Sequence, residues 1–363
     1  MNFDVPLLLD NAAAWRTYLG GSLLAKLHGR TGEDGHFPEE WILSLVSARN
    51  AGREAFLDEG MSHLAQSPEA TLKSVIESNP AAMLGAAHAA RYGASTGVLV
   101  KLIDAAERLT IQVHPDRSKA RELFGSDYGK TECWHILDGR TINGETPCIY
   151  VGFRPGVTRA QWKALFDAQD IAGMLGCLHR FDVQTGDTVL IEGGVPHAIG
   201  AGCFLTEIQE PTDYTIRTER VTPSGFPVAD SMCHQGLGFD KMFDCFHYEG
   251  LTAEQTRKRW FITPRTQVQS GGTVRTLVGY DTTPLFAMEA AEVTASVTLP
   301  AREAFSGLYV LAGAGRLAVH GKVCALAAGQ QYFVPPAAGA LTLQSSGPEP
   351  LRVLHCAGPK AAE

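Results

Sequence analysis

The stretch Gly186-Asp-Thr-Val-Leu-Ile-Glu-Gly-Gly-Val-Pro-His197 sets the expectation for the fold. Its apolar centre, residues 188–191, predicts a short β-strand. Gly186-Asp187 leads into the strand, and a glycine-rich turn leaves it and presents His197. Because short strands of this kind recur along the chain, we expect a mainly β protein.

Further strands are predicted on both sides of this stretch, at residues 98–104, 109–114, 132–137, 148–153 and 204–209. After about residue 270, strand-like segments such as 308–311, 316–320 and 331–334 alternate with Gly, Pro and Ala turns, which is typical of a sandwich or barrel. Helices are predicted at 64–92, with Ser67 as the cap before Pro68, and from Thr158 onward. We divide the chain into two domains, residues 1–255 and 256–363.

Composition and charge exclude several classes of protein. With 363 residues, of which 45% are hydrophobic and 19% charged, the chain is long enough for two globular domains. A net charge of −8 argues against nucleic acid as a partner, and an acidic protein binds an anion only through a local basic pocket. Neither a signal peptide nor an apolar run of membrane-spanning length is present, so no membrane association is expected. Eight scattered cysteines without a C-x-x-C pair fit reduced thiols and a cytoplasmic location.

A candidate metal site begins in Thr110-Ile-Gln-Val-His-Pro-Asp116. Side chains alternate between the two faces of a strand, so Gln112 and His114 point the same way. An amide oxygen and an imidazole on one face make half of a metal site. On the residues alone, a solvated polar face remains an alternative.

Two other segments add the remaining donors. Gly129-Lys-Thr-Glu-Cys-Trp134 places Glu132 and Trp134 on one strand face, and His197 follows the turn described above. Two imidazoles, a carboxylate and an amide suit Zn²⁺, although Fe²⁺ and Mn²⁺ also accept this set. The lack of thiol ligands favours a catalytic site over a closed structural one.

The order of these segments resembles a known family. Gly186–His197 resembles the second motif of the cupin superfamily, with Glu192 where that motif usually has proline. Together with Asp213-Tyr-Thr-Ile-Arg217, the motifs follow the order found in class I mannose-6-phosphate isomerases, over about residues 98–220. The resemblance implies two cupin-like jelly-roll β-barrels with helical additions, of which the first binds one Zn²⁺ per chain and the second is metal-free. It implies these metal ligands: Gln112, His114, Glu132 and His197.

The resemblance also implies an activity, the interconversion of mannose 6-phosphate and fructose 6-phosphate through an enediolate. Arg217 and Glu207 match catalytic positions of the family. Lys130, Lys101 and Thr110 match positions that line the substrate pocket and are the candidates for contacts with the phosphate or the sugar hydroxyls. The expected partner is a small sugar phosphate. The oligomeric state, the exact aldose and the identity of the proton-transfer base stay open.

Departures from the family pattern keep other functions in view. Thr222-Pro-Ser224 stands where the family commonly has Thr-Pro-Lys, and Ile42 follows Trp41 where many relatives have an acidic residue. The alternatives are a non-catalytic sugar-phosphate sensor or scaffold, an isomerase of a different aldose, and a metal-dependent oxygenase on the same scaffold. Retention of the four ligands and of Arg217 favours the isomerase.

Overall fold

The computed structural model describes residues 3–361 of the chain. The strands in this range are β1 Leu7–Leu9, β2 Ala12–Ala14, β3 Glu39–Ile42, β4 His63–Leu64, β5 Ser67–Thr71, β6 Leu99–Asp104, β7 Gln112–Val113, β8 Glu132–Gly139, β9 Cys148–Phe153, β10 Leu178–Asp182, β11 Thr188–Ile191, β12 His197–Ile199, β13 Cys203–Gln209, β14 Ile216–Arg217, β15 Phe261–Ile262, β16 Arg265–Gln269, β17 Gly272–Val278, β18 Ala287–Val293, β19 Ser296–Leu299, β20 Ser306–Ala312, β21 Ala314–Val319, β22 Lys322–Ala327, β23 Gln331–Val334, β24 Leu341–Ser345 and β25 Leu351–Ala357.

The helices are short and lie in the first three-quarters of the chain. They are α1 Ser22–Leu27, α2 Leu72–Ser78, α3 Pro80–Leu84, α4 Ala86–Tyr92, α5 Arg117–Phe124, α6 Arg159–Asp167, α7 Ile171–Gly176, α8 Asp230–His234 and α9 Ala253–Trp260. Short 3-10 helices are formed by Lys241–Cys245 and Pro336–Ala338. No helix among residues 3–361 is long and apolar enough to cross a membrane.

Two antiparallel sheets face each other in the first part of the chain. Their strand orders are β15-β11-β8-β13-β6-β3-β2 and β10-β9-β12-β7-β14. Trp134 and Leu205 of the first sheet share a buried apolar cluster with Ile149 and Val151 of the second. Candidate ligands lie at or next to the ends of three strands. Of these, β8 is in the first sheet and β7 and β12 are in the second, on the opposite side of the core.

A second pair of sheets packs behind the first. Their orders are β16-β17-β18-β25-β20-β23-β1-β4-β5 and β19-β24-β21-β22, so residues near the N-terminus extend a sheet built from C-terminal strands. Val310 and Leu343 belong to the apolar cluster between these two sheets. Another cluster joins Ile208 of β13 to Tyr309 and Leu354 of the longer sheet, so the two pairs of sheets pack back to back.

The mainly β prediction with helical additions is confirmed, and most predicted strands lie within two residues of their observed positions. The helix predicted from Thr158 is also confirmed, with the Thr158 side chain accepting a hydrogen bond from the Gln161 N–H. The prediction of a helix across residues 64–92 is wrong at its start. Residues 67–71 form strand β5, and the helical segments begin at Leu72 with Thr71 as the cap.

Candidate metal centre and substrate pocket

His114, Glu132 and His197 come together between the two facing sheets. His114 directly follows β7, Glu132 begins β8, and His197 begins β12, where it pairs with Gln112 across the sheet. The donor atoms of the three side chains lie within 4.8 Å of one another, and all three residues are buried. Glu132 Oε2 lies 3.2 Å from His114 Nε2, and Glu132 Oε1 lies 3.3 Å from His197 Nε2.

Both imidazoles are oriented by backbone carbonyls. His114 Nδ1 lies 2.8 Å from the carbonyl oxygen of Tyr214, and His197 Nδ1 lies 2.8 Å from that of Val195. Since Nδ1–H donates to these carbonyls, each Nε2 lone pair faces the cluster, as in protein metal sites. Burial, assisted by a nearby lysine, lowers the pKa of His114 to about 4, and burial also lowers the pKa of His197. Both rings are therefore neutral at pH 7, which is the form that binds a metal ion.

The carboxylate of Glu132 is the anionic centre of the cluster. Lys130 Nζ lies 2.5 Å from Glu132 Oε2 and 2.8 Å from His114 Nε2. Burial opposes the ionisation of Glu132, but Lys130 and the imidazoles outweigh it and hold the pKa of this carboxyl well below its usual value. Glu132 Oε1 is buried without a hydrogen-bond partner among the described residues. An orphaned carboxylate oxygen facing two neutral imidazoles fits a divalent cation such as Zn²⁺.

The amide of Gln112 completes the donor set. Its Nε2 lies 3.3 Å from His197 Nε2. The two ends of a side-chain amide have nearly the same size, so a half-turn of the group would direct Oε1 at the cluster. Gln112 is therefore placed where it can supply an oxygen ligand.

Beside this cluster lies a cavity of about 40 Å³, which we call the inner cavity. Its lining includes every residue that the family resemblance assigned to substrate or catalysis: Lys101, Thr110, Lys130, Glu207 and Arg217. Gln112 lies on the same wall. The structure thus brings the predicted site residues together, although they span more than 100 positions of the sequence.

Strand register places Glu207 between two partners. Glu207 on β13 is directly opposite Lys101 on β6 and Trp134 on β8. Lys101 Nζ lies 3.3 Å from Glu207 Oε1, and the Trp134 indole N–H donates to Glu207 Oε2 at 3.0 Å. The carboxylate is therefore held at the cavity wall in a fixed orientation.

Arg217 is a cation whose charge no carboxylate neutralises at close range. Its Nη1 donates to the carbonyl oxygens of Thr215 and Met232, at 3.2 and 3.0 Å. No acidic side chain in residues 3–361 forms an ion pair with it within 4.0 Å, and burial lowers its pKa. A guanidinium in this condition favours an anion in the cavity.

Sequence reasoning missed a buried ionic network on the same wall. Arg16 pairs with Glu39 at 3.0 Å and with Asp213 at 3.3 Å. Burial opposes the ionisation of Glu39, but Arg16 and Lys101 outweigh it and lower its pKa to about 2. The available signal was weak: Arg16 follows the apolar run of β2, and Glu39 stands two residues before the buried Trp41.

Two departures from the family pattern have local structural explanations. Glu192 accepts hydrogen bonds from Trp260 Nε1 at 2.9 Å and Arg259 Nε at 3.1 Å, so it anchors the end of α9. Ser224 donates through its hydroxyl and its backbone N–H to the two carboxylate oxygens of Glu107, at 2.9 and 2.7 Å. The segment that lacks the family's lysine is therefore fixed by a different contact.

Comparisons with known proteins point to one family. A family model described as phosphomannose isomerase type I, catalytic domain, matches residues 54–131. The putative mannose-6-phosphate isomerase YvyI of Bacillus subtilis is 26% identical over 253 residues, which are 66% of this chain and 68% of that protein. A mannose-6-phosphate isomerase of Streptococcus mutans is 26% identical over 247 residues, with 66% and 68% coverage.

Solved structures show the same fold over the whole length. The mannose 6-phosphate isomerase of Bacillus subtilis has a TM-score of 0.74 at 22% identity, covering 97% of this chain and 99% of its own. A putative mannosephosphate isomerase of Archaeoglobus fulgidus has a TM-score of 0.71 at 17% identity, covering 99% and 100%. These structures have the cupin fold, so the predicted fold class is confirmed. The predicted resemblance is confirmed as well: the chain is similar to type I phosphomannose isomerases in part of its sequence and in its fold.

Proposed function

We propose that this protein is a zinc-dependent aldose–ketose isomerase that interconverts mannose 6-phosphate and fructose 6-phosphate through an enediolate, with one Zn²⁺ per chain. The observation that carries the proposal is the buried cluster of His114, Glu132 and His197 beside a cavity that also holds a carboxylate and an unneutralised arginine. Similarity to proteins named as mannose-6-phosphate isomerases, such as that of Streptococcus mutans, supports the choice of substrate.

The chemistry divides among the residues on the cavity wall. A divalent ion held by Gln112, His114, Glu132 and His197 would supply Lewis-acid stabilisation of negative charge on a substrate oxygen. Glu207 is the proposed group that moves the proton between C1 and C2, because its carboxylate lines the cavity and is held by two partners.

The remaining wall residues position the sugar. Arg217 supplies positive charge close to the developing enediolate and donates hydrogen bonds through the planar guanidinium. Lys130, Lys101 and Thr110 offer donors to the sugar hydroxyls. Because the wall is buried, these interactions act with little competition from water.

We further propose that residues 1–255 carry the reaction and that residues 256–363 form a metal-free cupin-like unit. Every proposed site residue precedes position 255, and the sheets of the later unit enclose an apolar cluster of their own. A cytoplasmic location is also proposed, supported by eight free cysteines, of which seven are buried.

A coupled assay of mannose 6-phosphate conversion to fructose 6-phosphate tests the function. Turnover should be lost after chelation, restored by Zn²⁺, and absent in His114→Ala under all conditions. The matched control is His320→Ala, which removes an exposed imidazole bonded to the Ala337 carbonyl in the C-terminal unit and should leave turnover unchanged. A folded, zinc-loaded protein without turnover would exclude this activity, and activity with another aldose phosphate would change the substrate.

A further inference from the structure

The cations that face the inner cavity are mostly neutralised by carboxylates of the protein. Lys101 lies 3.3 Å from Glu207, Lys130 lies 2.5 Å from Glu132, and Arg16 pairs with two buried carboxylates. Buried pairs of this kind satisfy each other's charge and have little left for a dianion. The charge balance therefore leaves the phosphate of a substrate without a partner among these three groups.

The size of the inner cavity also argues against binding the phosphate there. Its volume of about 40 Å³ accommodates only a few atoms the size of water, far fewer than a hexose phosphate contains. A second cavity of about 710 Å³, which we call the outer vestibule, is lined by residues of the 45–57 loop and by Ser231, Met232 and Gln235. Asn50 and Met232 line both cavities, so the two adjoin there. The inner cavity has room for only the reacting end of a sugar, and the vestibule is the adjoining space for the rest.

Arg217 marks the junction of the two cavities, since it donates to the carbonyl of Met232. Beyond it, Arg49 stands on the vestibule wall. The backbone N–H of Arg49 donates to Asp213 Oδ2 at 3.3 Å, and its guanidinium lies 5.8 Å from the ring centre of Tyr214. No acidic side chain within the described range forms an ion pair with the Arg49 guanidinium.

The other arginine on the vestibule wall is already paired with a carboxylate. Arg53 is held by Glu59 through two hydrogen bonds of 2.9 and 3.0 Å. Glu54 accepts a hydrogen bond from the Gly52 N–H. Arg49 is thus the free cation of this wall in the part of the chain that the structure describes.

We propose that Arg49 binds the phosphate group of the substrate in the outer vestibule, while the carbonyl end of the sugar reaches the inner cavity past Arg217. The inference rests on the proposed function for the identity of the sugar phosphate. A guanidinium presents paired donors that match phosphate oxygens; that of the exposed Arg49 lies over the Tyr214 ring, and its backbone N–H is bonded to Asp213. Lys101 and Lys130 then serve the sugar hydroxyls.

The test compares Arg49→Gln with Arg53→Gln, which removes the same charge from the same loop but from a neutralised arginine. Steady-state kinetics give kcat and KM for mannose 6-phosphate, and calorimetric titration of the zinc-loaded protein gives the affinity for inorganic phosphate. In Arg49→Gln we expect KM and the phosphate Kd to rise about 10- to 100-fold, with kcat changed by less than about threefold. Arg53→Gln should change each value by less than about threefold.

The outcomes separate the inference from the function on which it rests. Without turnover in the unmutated protein, the proposed function fails, and the phosphate titration still tests Arg49 by itself. Turnover with unchanged KM and phosphate affinity in Arg49→Gln would overturn the inference and leave the function standing. Equal losses in Arg53→Gln would also overturn it, because they would indicate a general effect of loop charge. So would failure of the unmutated protein to bind phosphate.

Discussion

Replacing Lys130 with methionine tests whether an ammonium group and a metal ion compete for the Glu132 carboxylate. Lys130 Nζ lies 2.5 Å from Glu132 Oε2 and 2.8 Å from His114 Nε2, and all of these groups are buried. Methionine keeps much of the length of the side chain and removes its charge. The metal-free variant would therefore hold an unneutralised carboxylate in the protein interior.

The two forms of the protein should respond differently. Removing one partner of a buried ion pair costs about 3–5 kcal/mol, which is the expected loss of unfolding free energy for metal-free Lys130→Met. In the loaded protein the dication neutralises Glu132, and loss of the nearby ammonium removes a repulsion, so we expect a change below about 1 kcal/mol. By thermodynamic linkage the difference, about 3 kcal/mol, appears as roughly 100-fold tighter Zn²⁺ binding.

Urea denaturation with chelator and with Zn²⁺ measures both stabilities, and competition with a chelating dye measures the Zn²⁺ affinity. The matched control is Lys101→Met, since Lys101 is also buried and lies between two carboxylates, those of Glu39 and Glu207. It should destabilise both forms alike and leave the Zn²⁺ affinity within about threefold. Competition between Lys130 and the metal ion is refuted if Lys130→Met destabilises both forms equally or weakens Zn²⁺ binding.

Two further variants probe stability and the support of the cluster. Burial, with a smaller contribution from a nearby arginine, lowers the pKa of His135 to about 4. As the pH drops from about 6.5 to 4, His135 is therefore protonated in the unfolded chain before it is protonated in the folded protein. The free energy of unfolding falls over this range by at most about 1.4 kcal/mol per pH unit. His135→Gln should flatten that slope in urea titrations at several pH values, and parallel profiles would contradict the assignment. Gly194 has a φ of +90°, and a Cβ there would meet the His247 ring at 2.5 Å. Gly194→Ala should therefore lower the free energy of unfolding by about 2 kcal/mol. It should also weaken Zn²⁺ binding, because the Gly194 N–H donates a 2.7 Å hydrogen bond to the carbonyl oxygen of His114. The control is Gly125→Ala, at a φ of +64° with open space around it, which should lower the free energy of unfolding by about 1 kcal/mol and leave the Zn²⁺ affinity unchanged. An equal effect of both variants on Zn²⁺ affinity would contradict a specific role of Gly194 in supporting His114.

Strand positions were predictable where apolar residues form short uninterrupted runs. Cys148–Phe153 and Thr188–Ile191 have the bounds expected from sequence, because both are bounded by turn residues and are buried along most of their length. The segment Ser67–Thr71 misled the prediction, since Ser-Pro also begins helices. In the structure it is the edge strand of its sheet, where a proline without an N–H is tolerated.

Part of the donor set follows local rules. Alternation on one strand relates Gln112 to His114, and a glycine turn presents His197, whereas the four residues were predicted to be ligands of one metal ion from the family resemblance. The network of Arg16 and Asp213 follows no such rule. These residues are separated by almost 200 positions and meet only because the N-terminal segment packs beside the sheet that carries β14. Long-range charge pairing of this kind leaves no periodic signal in one sequence.

Charge pairing also bears on how a chain with a net charge of −8 would bind the proposed sugar phosphate. Lysines were the natural candidates for the phosphate from sequence, but the fold places carboxylates against both Lys101 and Lys130. What matters for an incoming anion is the cation that the protein leaves without a partner, not the number of basic residues nearby. Arg217 and Arg49 meet this condition, one at the junction of the cavities and one on the vestibule wall. Phosphate binding at Arg49, as proposed, would direct that group away from the metal ligands, so that the opposite end of the sugar would face the cluster of His114, Glu132 and His197.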